Sequence, residues 1–290
     1  MNLLTKNKIK ESVMSKVFLL SALTCIFFVF LICVFLFANG IPAMHKIGFT
    51  DFIFGKTWAP TDEPALFGIL PMILGSLYVT LGALVIGVTV GIFSAVYLAK
   101  FCSEKIHKKL KPAVDLLAGI PSVVYGFFGL VVIVPFVRTH FGGSGASILS
   151  ASLLLGMMIL PTIISVSEAA IRAVPNSYYE GALALGATHE RSVFFAVLPA
   201  AKSGIVAAIV LGLGRAIGET MAVILVAGNQ ARMPTGILNG VRTLTSNIVL
   251  EMGYATDLHR EALIATGVVL FTFILIINAA FAILKRRGKA

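Results

Sequence analysis

The sequence predicts an all-α membrane protein with six transmembrane helices, and three observations predict it. Of the 290 residues, 58% are hydrophobic and 12% charged, against about 25% charged in a soluble domain, and the mean hydropathy is +0.97. The apolar residues fall into six blocks, each long enough for a span of about 20 residues. The Lys and Arg residues behind the net charge of +10 flank those blocks, which is the pattern of membrane topology rather than of nucleic-acid binding. Six spans use roughly 120 to 150 residues. Loops fit in the remainder, but an ATPase, an extramembrane catalytic domain or a large binding domain does not.

The first block, about Val17 to Phe37, follows Lys6, Lys8, Lys10 and Lys16. It is longer than the roughly 7 to 15 residues of a signal-peptide core and no A-x-A site follows, so it stays as an anchor. Within the leading unit 1–65, the segment Asn39 to Ala65 reads as an ordered outer segment with Trp58 as its interfacial anchor. The main unit, 66–284, holds the other blocks. Leu66 to Ala99 is too long for a perpendicular span and is punctuated by Pro71, Gly75, Gly82, Gly87 and Gly91, so it starts outside the bilayer or crosses tilted. Pro112 to Val137, Ile148 to Ile171, Gly204 to Ala227 and Ala262 to Leu284 follow, then a tail at 285–290. With the termini and alternate loops on one side of the membrane, that side holds 16 Lys and Arg and the other 6, which makes both termini cytoplasmic.

Charges within the spans are few and costly, about 2.5 to 3.5 kcal/mol each at a helix centre on insertion scales. Arg215 and Glu219 are the two at mid-span, and an i,i+4 spacing puts them on one helix face. That face continues as Gly204, Ala208, Gly212 and Ala222, a stripe open to a neighbouring helix or a ligand. One reading is a self-neutralising pair, worth about 4 kcal/mol at about 4 Å and an effective dielectric of about 20. The other is an Arg lining the path of an anion, its planar fork suited to a tetrahedral oxyanion, with Glu219 orienting it when the path is empty. A carboxylate there accepts the hydroxyl of monohydrogen phosphate and repels sulfate, which has no donor. Asp115 and Glu168 lie near span ends, where Glu168 and Arg172 are spaced for an ion pair. Cys25, Cys33 and Cys102 form no metal or disulfide pattern, and His45, His107, His140, His189 and His259 have no metal spacing. No phosphate-binding P-loop is present, so no ATP site of that type belongs to the chain.

The loop 172–203 is richer than a connector. Ser177-Tyr-Tyr-Glu180 has the pattern of a capping box, residues Ala182 to Leu185 favour helix, and Gly186 suits the stop. A second short helix is expected after Thr188, ending before Pro199. Glu180 is then either the capping partner of Ser177 or, with Phe194, Phe195 and Val197, part of a surface that fills a groove on a cytoplasmic partner.

Glu180-Gly-Ala-x3-Gly186-x9-Ala196-Val-Leu-Pro199 resembles the EAA loop, E-A-A-x3-G-x9-I-x-L-P, of binding-protein-dependent ABC importer permeases. Gly181 replaces the middle Ala and Ala196 the Ile. The earlier Glu168-Ala-Ala string lacks the Gly, having Val174 in its place. Phe67-Gly-Ile-Leu-Pro71, Ala118-Gly-Ile-Pro-Ser-Val-Val-Tyr-Gly126 and Gly214-Arg-Ala-Ile-Gly-Glu-Thr220 extend the resemblance, over about 66–284, to phosphate-specific permeases of the PstC type. R-A-x-G-E alone is shared with sulfate and molybdate permeases; Thr220 and the 118–126 string favour phosphate. The resemblance implies a type I ABC importer fold in a bacterial inner membrane. It implies a heterodimer with a second phosphate permease, two copies of a cytoplasmic ATPase that use the ATP and Mg, and an outer phosphate-binding protein. This chain would be no enzyme, would bind no cofactor, metal or nucleic acid, and would contact lipid. Glu180, Gly181, Ala182, Gly186, Leu198 and Pro199 would couple to the ATPase, and Arg215, Glu219 and Thr220 would line the translocation path. A permease for another oxyanion is the first alternative. An anion channel or secondary carrier needs no docking loop and should show internal repeats, and an intramembrane enzyme needs a nucleophile and base or metal ligands at membrane depth.

Overall fold

The computed structural model describes residues 3–287. Residues 288–290 of the expected tail lie outside the described residues, as do the side chains of Lys6, Lys8, Lys10, Lys285, Arg286 and Arg287 used in the orientation tally, and the whole of Lys289.

Six helices are long and apolar enough to cross a membrane, within 11–47, 70–101, 122–141, 148–172, 189–218 and 257–281. The first is a single helix, α1 (Leu3–Ile47), which overshoots the expected span on both sides. A short α2 (Phe49–Phe54) and a hairpin, β1 (Trp58–Ala59) against β2 (Leu66–Phe67), pairing Trp58 with Phe67, lead to α3 (Leu70–Val96). This helix ends in a π-turn at Tyr97–Phe101. The chain continues through α4 (Glu104–Gly119), α5 (Ser122–Phe128), a π-turn at Gly129–Ile133 and α6 (Val134–Phe141) to α7 (Ile148–Arg172). The expected coupling loop forms α8 (Asn176–Ala184) and α9 (His189–Ser192), which passes through a π-turn at Val193–Val197 into α10 (Leu198–Gly218). A short α11 (Met221–Val226), α12 (Leu244–Glu251) and the long α13 (Asp257–Arg287) complete the chain.

Two span boundaries differ from the expectation for reasons of proline stereochemistry. The third span starts at Ser122, not Pro112, because Ile120 before Pro121 takes the extended conformation (φ −69°, ψ 127°) that a following proline imposes. Pro112 lies inside α4, an amphipathic helix outside that span. The fifth runs from His189 to Gly218 rather than from Gly204 to Ala227. Pro199 was expected to stop a helix, but it sits in the first turn of α10, directly after the π-turn, where Leu198 N bonds Val193 O. The wider turn removes the clash between the proline ring and the preceding carbonyl. Pro135 follows the π-turn before α6 in the same way.

Helix α7 is the centre of the bundle, with Leu154, Leu155, Met158, Ile159 and Ile163 buried. The glycines of α3 serve this contact: a Cβ on Gly87 would lie 2.5 Å from Ile159 Cγ1, and one on Gly91 2.7 Å from Ile163 Cγ2. They mark close helix approach, which lipid-embedded bundles need because apolar burial alone does not drive their association. At the α8 end, Ala95, Val96, Ile171, Val174, Val193, Val197 and Ala201 join α3, α7 and the α9–α10 helix in one apolar cluster.

The hairpin end is held by polar contacts. Trp58 is no interfacial anchor: it is 7% exposed, and its indole N–H donates to Glu251 Oε2 at 2.8 Å. The same carboxylate takes His259 Nε2 at 2.8 Å and pairs with the half-buried Arg242. Arg242 also donates to Asn247 Oδ1 at 3.0 Å and Asn229 O at 3.1 Å. Glu251→Ala leaves a half-buried guanidinium without its carboxylate, which costs about 2 to 3 kcal/mol. A clear fall in the thermal unfolding midpoint of the purified chain is the expected result, and an unchanged midpoint would show that Glu251 is dispensable.

Candidate functional site

Helix α10 stops at Gly218, so Arg215 and Glu219 do not share a helical face as the i,i+4 spacing predicted. Glu219 is extended (φ −70°, ψ 129°) and Thr220 leads into α11. The backbone groups freed by this break are met by side chains. Glu219 Oε1 accepts from Ala222 N at 3.1 Å, Thr220 Oγ1 donates to Gly218 O at 3.2 Å, and Thr245 Oγ1 donates to Glu219 O at 3.2 Å. A broken helix inside a membrane protein needs such replacements, since lipid supplies none. Discontinuous spans of this kind are where transporters place their substrates.

The self-neutralising pair, the first of the two readings of Arg215 and Glu219, is not formed. No ion pair among the described residues includes Arg215 or Glu219. Both side chains are half-buried. Arg215 stands within electrostatic range of Tyr125 of α5, whose hydroxyl bridges the Ile120–Pro121 break to Leu117 O at 2.9 Å. A Cβ on Gly126 would lie 2.9 Å from Ala222 Cα, so α5 packs directly on α11. The 118–126 and 214–220 strings, far apart in the chain, therefore lie near one another. The small-residue stripe is divided: Gly204 abuts Ala170 and Gly212 abuts Ile163, both on α7, whereas Ala222 abuts Gly126.

Sequence reasoning missed Tyr125 as a neighbour of Arg215 and missed Thr243-Leu-Thr-Ser-Asn247 altogether. Thr243 Oγ1 caps α12 by accepting from Ser246 N at 3.3 Å, Leu244 N donates to Ser76 Oγ of α3 at 2.9 Å, and Thr245 reaches Glu219. The available signal was a run of hydroxyl and amide residues between two spans, all of them buried.

The loop 172–203 forms a helix at each expected place, with a correction at the start of α8 beside the one already noted at Pro199. Helix α8 begins at Asn176 behind Pro175, so Ser177 lies within the first turn and no capping box forms. Its far end closes as predicted. Gly186 has φ +82°, Gly186 N donates to Leu183 O at 2.9 Å and Ala187 N to Ala182 O at 3.1 Å, the paired bonds of a Schellman stop. Thr188 caps α9, and Tyr179 O–H meets His189 Nδ1 at 2.7 Å. Glu180 and Gly181 are exposed and Ala182 is half-buried; beyond them Leu185 is 91% and Phe195 78% exposed. Leu198 is half-buried and Pro199 exposed at the start of α10. Glu168 pairs with Arg172 at 2.9 Å, as their spacing predicted, and Asp115 pairs with Lys111 at 3.2 Å.

The family described as "Binding-protein-dependent transport system inner membrane component" matches residues 87–289, which hold α8, the break at Glu219 and α12. The chain belongs to that family. This transport component is 39% identical over 256 residues to the probable ABC transporter permease protein YqgH of Bacillus subtilis, covering 85% of this chain and 83% of that one. It is 33% identical over 277 residues to the phosphate transport system permease protein PstC of Mesorhizobium japonicum, covering 88% and 84%. Its fold is that of type I ABC importer permeases. It aligns with a chain of a bacterial alginate ABC transporter in complex with an alginate pentasaccharide-bound periplasmic protein at a TM-score of 0.66, 19% identity and coverage of 97% and 96%. An inward-facing MetNI methionine ABC transporter aligns at a TM-score of 0.62, 22% identity and coverage of 76% and 95%.

Proposed function

We propose that this transport component carries inorganic phosphate into the cell as one half of the membrane path of an ATP-driven importer. The observation that carries the reading is the half-buried Arg215, with no carboxylate partner among the described residues, at the end of a broken membrane helix. A cation so placed needs a negative charge from outside the chain, and its two-pronged fork suits a tetrahedral oxyanion. Thr220 and Glu219 flank it. Similarity to the PstC of M. japonicum and of Xylella fastidiosa supports phosphate as that anion. The 16-to-6 distribution of Lys and Arg puts the α8 end and both termini in the cytoplasm. The exposed Glu180, Gly181 and Leu185 then face two copies of an ATPase, which supply the ATP chemistry. A second phosphate permease completes the path, and an outer phosphate-binding protein delivers to the hairpin end.

Uptake of labelled phosphate into vesicles tests this. Uptake is expected only with both permeases, the ATPase, the binding protein and ATP; flux through this chain alone without ATP would make it a channel. A second measurement addresses selectivity. Glu219→Gln keeps the Oε1 acceptor for Ala222 N and removes only the charge. Discrimination against sulfate is expected to fall at least about tenfold, because the hydroxyl of monohydrogen phosphate donates to the carboxylate, a charged hydrogen bond of about 1.5 to 3 kcal/mol that sulfate, equally charged but without a donor, cannot make. Unchanged discrimination would leave Glu219 as a helix cap alone.

A further inference from the structure

Helix α4 is fastened to the α8 end of the bundle differently from its neighbours. The ends of α3 and α7 and the α9–α10 helix meet in an apolar cluster, whereas α4 contributes no buried residue. Its attachment to α7 is polar and centres on Glu168, which is 3% exposed. His107 Nε2 of α4 meets Glu168 Oε1 at 2.6 Å, and Lys111 Nζ lies 3.5 Å from Oε2. Lys111 also donates to Ser165 Oγ at 2.7 Å, and that hydroxyl donates to Asp115 Oδ1 at 3.1 Å. From the other side Arg172 Nε donates to Glu168 Oε1 at 2.9 Å, while its Nη2 donates to Leu98 O at the end of α3 at 2.8 Å.

The Glu168 carboxylate, with the Ser165 hydroxyl one turn before it, thus joins α4 to the end of α7, and α8 begins only four residues after that helix ends. The far end of α4 is tied to the candidate path: Tyr125 holds Leu117 O across the Ile120–Pro121 break, and its helix α5 packs on α11 at Gly126 and Ala222, within electrostatic range of Arg215. A charge-centred contact between otherwise loosely packed helices can open and close as a unit, which an interlocked apolar core does not do without repacking.

We propose that Glu168 is a positioning residue for transport, a latch that makes α4 move with the foot of α7 and so delivers the displacement of α8 to the Tyr125–Arg215 side of the path. The proposal rests on the importer reading given above. Losing the Glu168 charge leaves Arg172 bonded to Leu98 O, leaves Lys111 and Asp115 of α4 on the Ser165 hydroxyl of α7, and leaves the apolar cluster untouched. Loosening of α4 about the Ser165 contact, rather than unfolding of the bundle, is therefore the consequence.

The test uses the assembled transporter in lipid nanodiscs, with Cys25, Cys33 and Cys102 replaced by Ser and spin labels at Lys108→Cys on α4 and Ser177→Cys on α8, both exposed positions. Without ATP or phosphate, the unaltered latch should give one narrow distance. Glu168→Gln should shift or broaden it by about 5 Å, the scale of a one-turn slip. In the same assembly the ATP hydrolysed per phosphate imported should rise at least about five-fold, the lower end of ordinary coupling energies. A distance left unchanged by Glu168→Gln, or a changed distance with an unchanged ratio, overturns the proposal. Should Glu168→Gln fail to assemble, His107→Asn with Lys111→Met releases α4 from its own side while keeping the Glu168–Arg172 pair, and must meet the same two criteria. The distance is read without substrate. If it behaves as expected while the unaltered assembly imports no phosphate, the importer reading is what fails, and the transport role of the latch with it.

Discussion

Arg215→Gln is expected to abolish phosphate uptake while assembly with the partner subunits persists. Gln keeps most of the side-chain length and two N–H donors but loses the charge and the fork. Two charge-assisted hydrogen bonds of about 1.5 to 3 kcal/mol each are at stake, which corresponds to a loss of at least about a hundred-fold in rate. Arg215→Lys should recover only part of it, because an ammonium offers a point charge without bidentate geometry. Stability gives the complementary reading. Since Arg215 has no ion pair among the described residues, its removal should leave the thermal midpoint of the purified chain unchanged or raise it. Uptake near normal in vesicles would sink the path assignment, and a large fall in the midpoint would make the residue scaffolding.

Gly186→Ile should uncouple ATP hydrolysis from uptake. The residue sits at φ +82°, where a side chain costs about 1 to 2 kcal/mol through the clash of Cβ with the carbonyl, and a β-branched one more. The two bonds that end α8, to Leu183 O and Ala182 O, depend on that conformation. A Cβ at Gly186 meets nothing within 4 Å in the chain, so the effect is one of backbone geometry and not of crowding. Gly186→Asn, which tolerates the left-handed region, is therefore the control that should keep coupling. Phosphate imported per ATP, measured in proteoliposomes, should drop several-fold in the Ile variant and hold in the Asn variant. Equal ratios in both would contradict a docking role for α8.

Both predictions start from residues that the sequence singled out, but the two were legible to different degrees. Gly186 was read correctly because a helix stop is a local matter: a glycine after a helical run, with two backbone bonds closing on residues three and five positions back. Thr188 as a cap and Glu168 with Arg172 as a pair are local in the same sense. Arg215 was found for a sound reason, the cost of burying a charge in lipid, yet its geometry was misread. The break after Gly218 is met only in part by its own Glu219 and Thr220; the Glu219 carbonyl is held by Thr245, 26 positions further along. Trp58 was misplaced for the same cause, since its partner Glu251 lies 193 positions away. Pro199 misled in the opposite sense, because a π-turn on its N-terminal side absorbed the clash that a proline imposes.

The sequence by itself determined the six apolar helices, the helical loop after the fourth span with its glycine stop, and the presence of one costly cation among the spans, because all of these follow from hydropathy, turn stereochemistry and charge burial acting over a few residues. Only the tertiary structure decided that the fifth span breaks after Gly218, that Arg215 forms no ion pair with Glu219, and that α4 is fastened to α7 through Glu168 and Ser165. Each of those depends on which distant hydroxyl, amide or carboxylate satisfies a group taken out of water, and the same residue types would satisfy it equally well from many other positions in the chain.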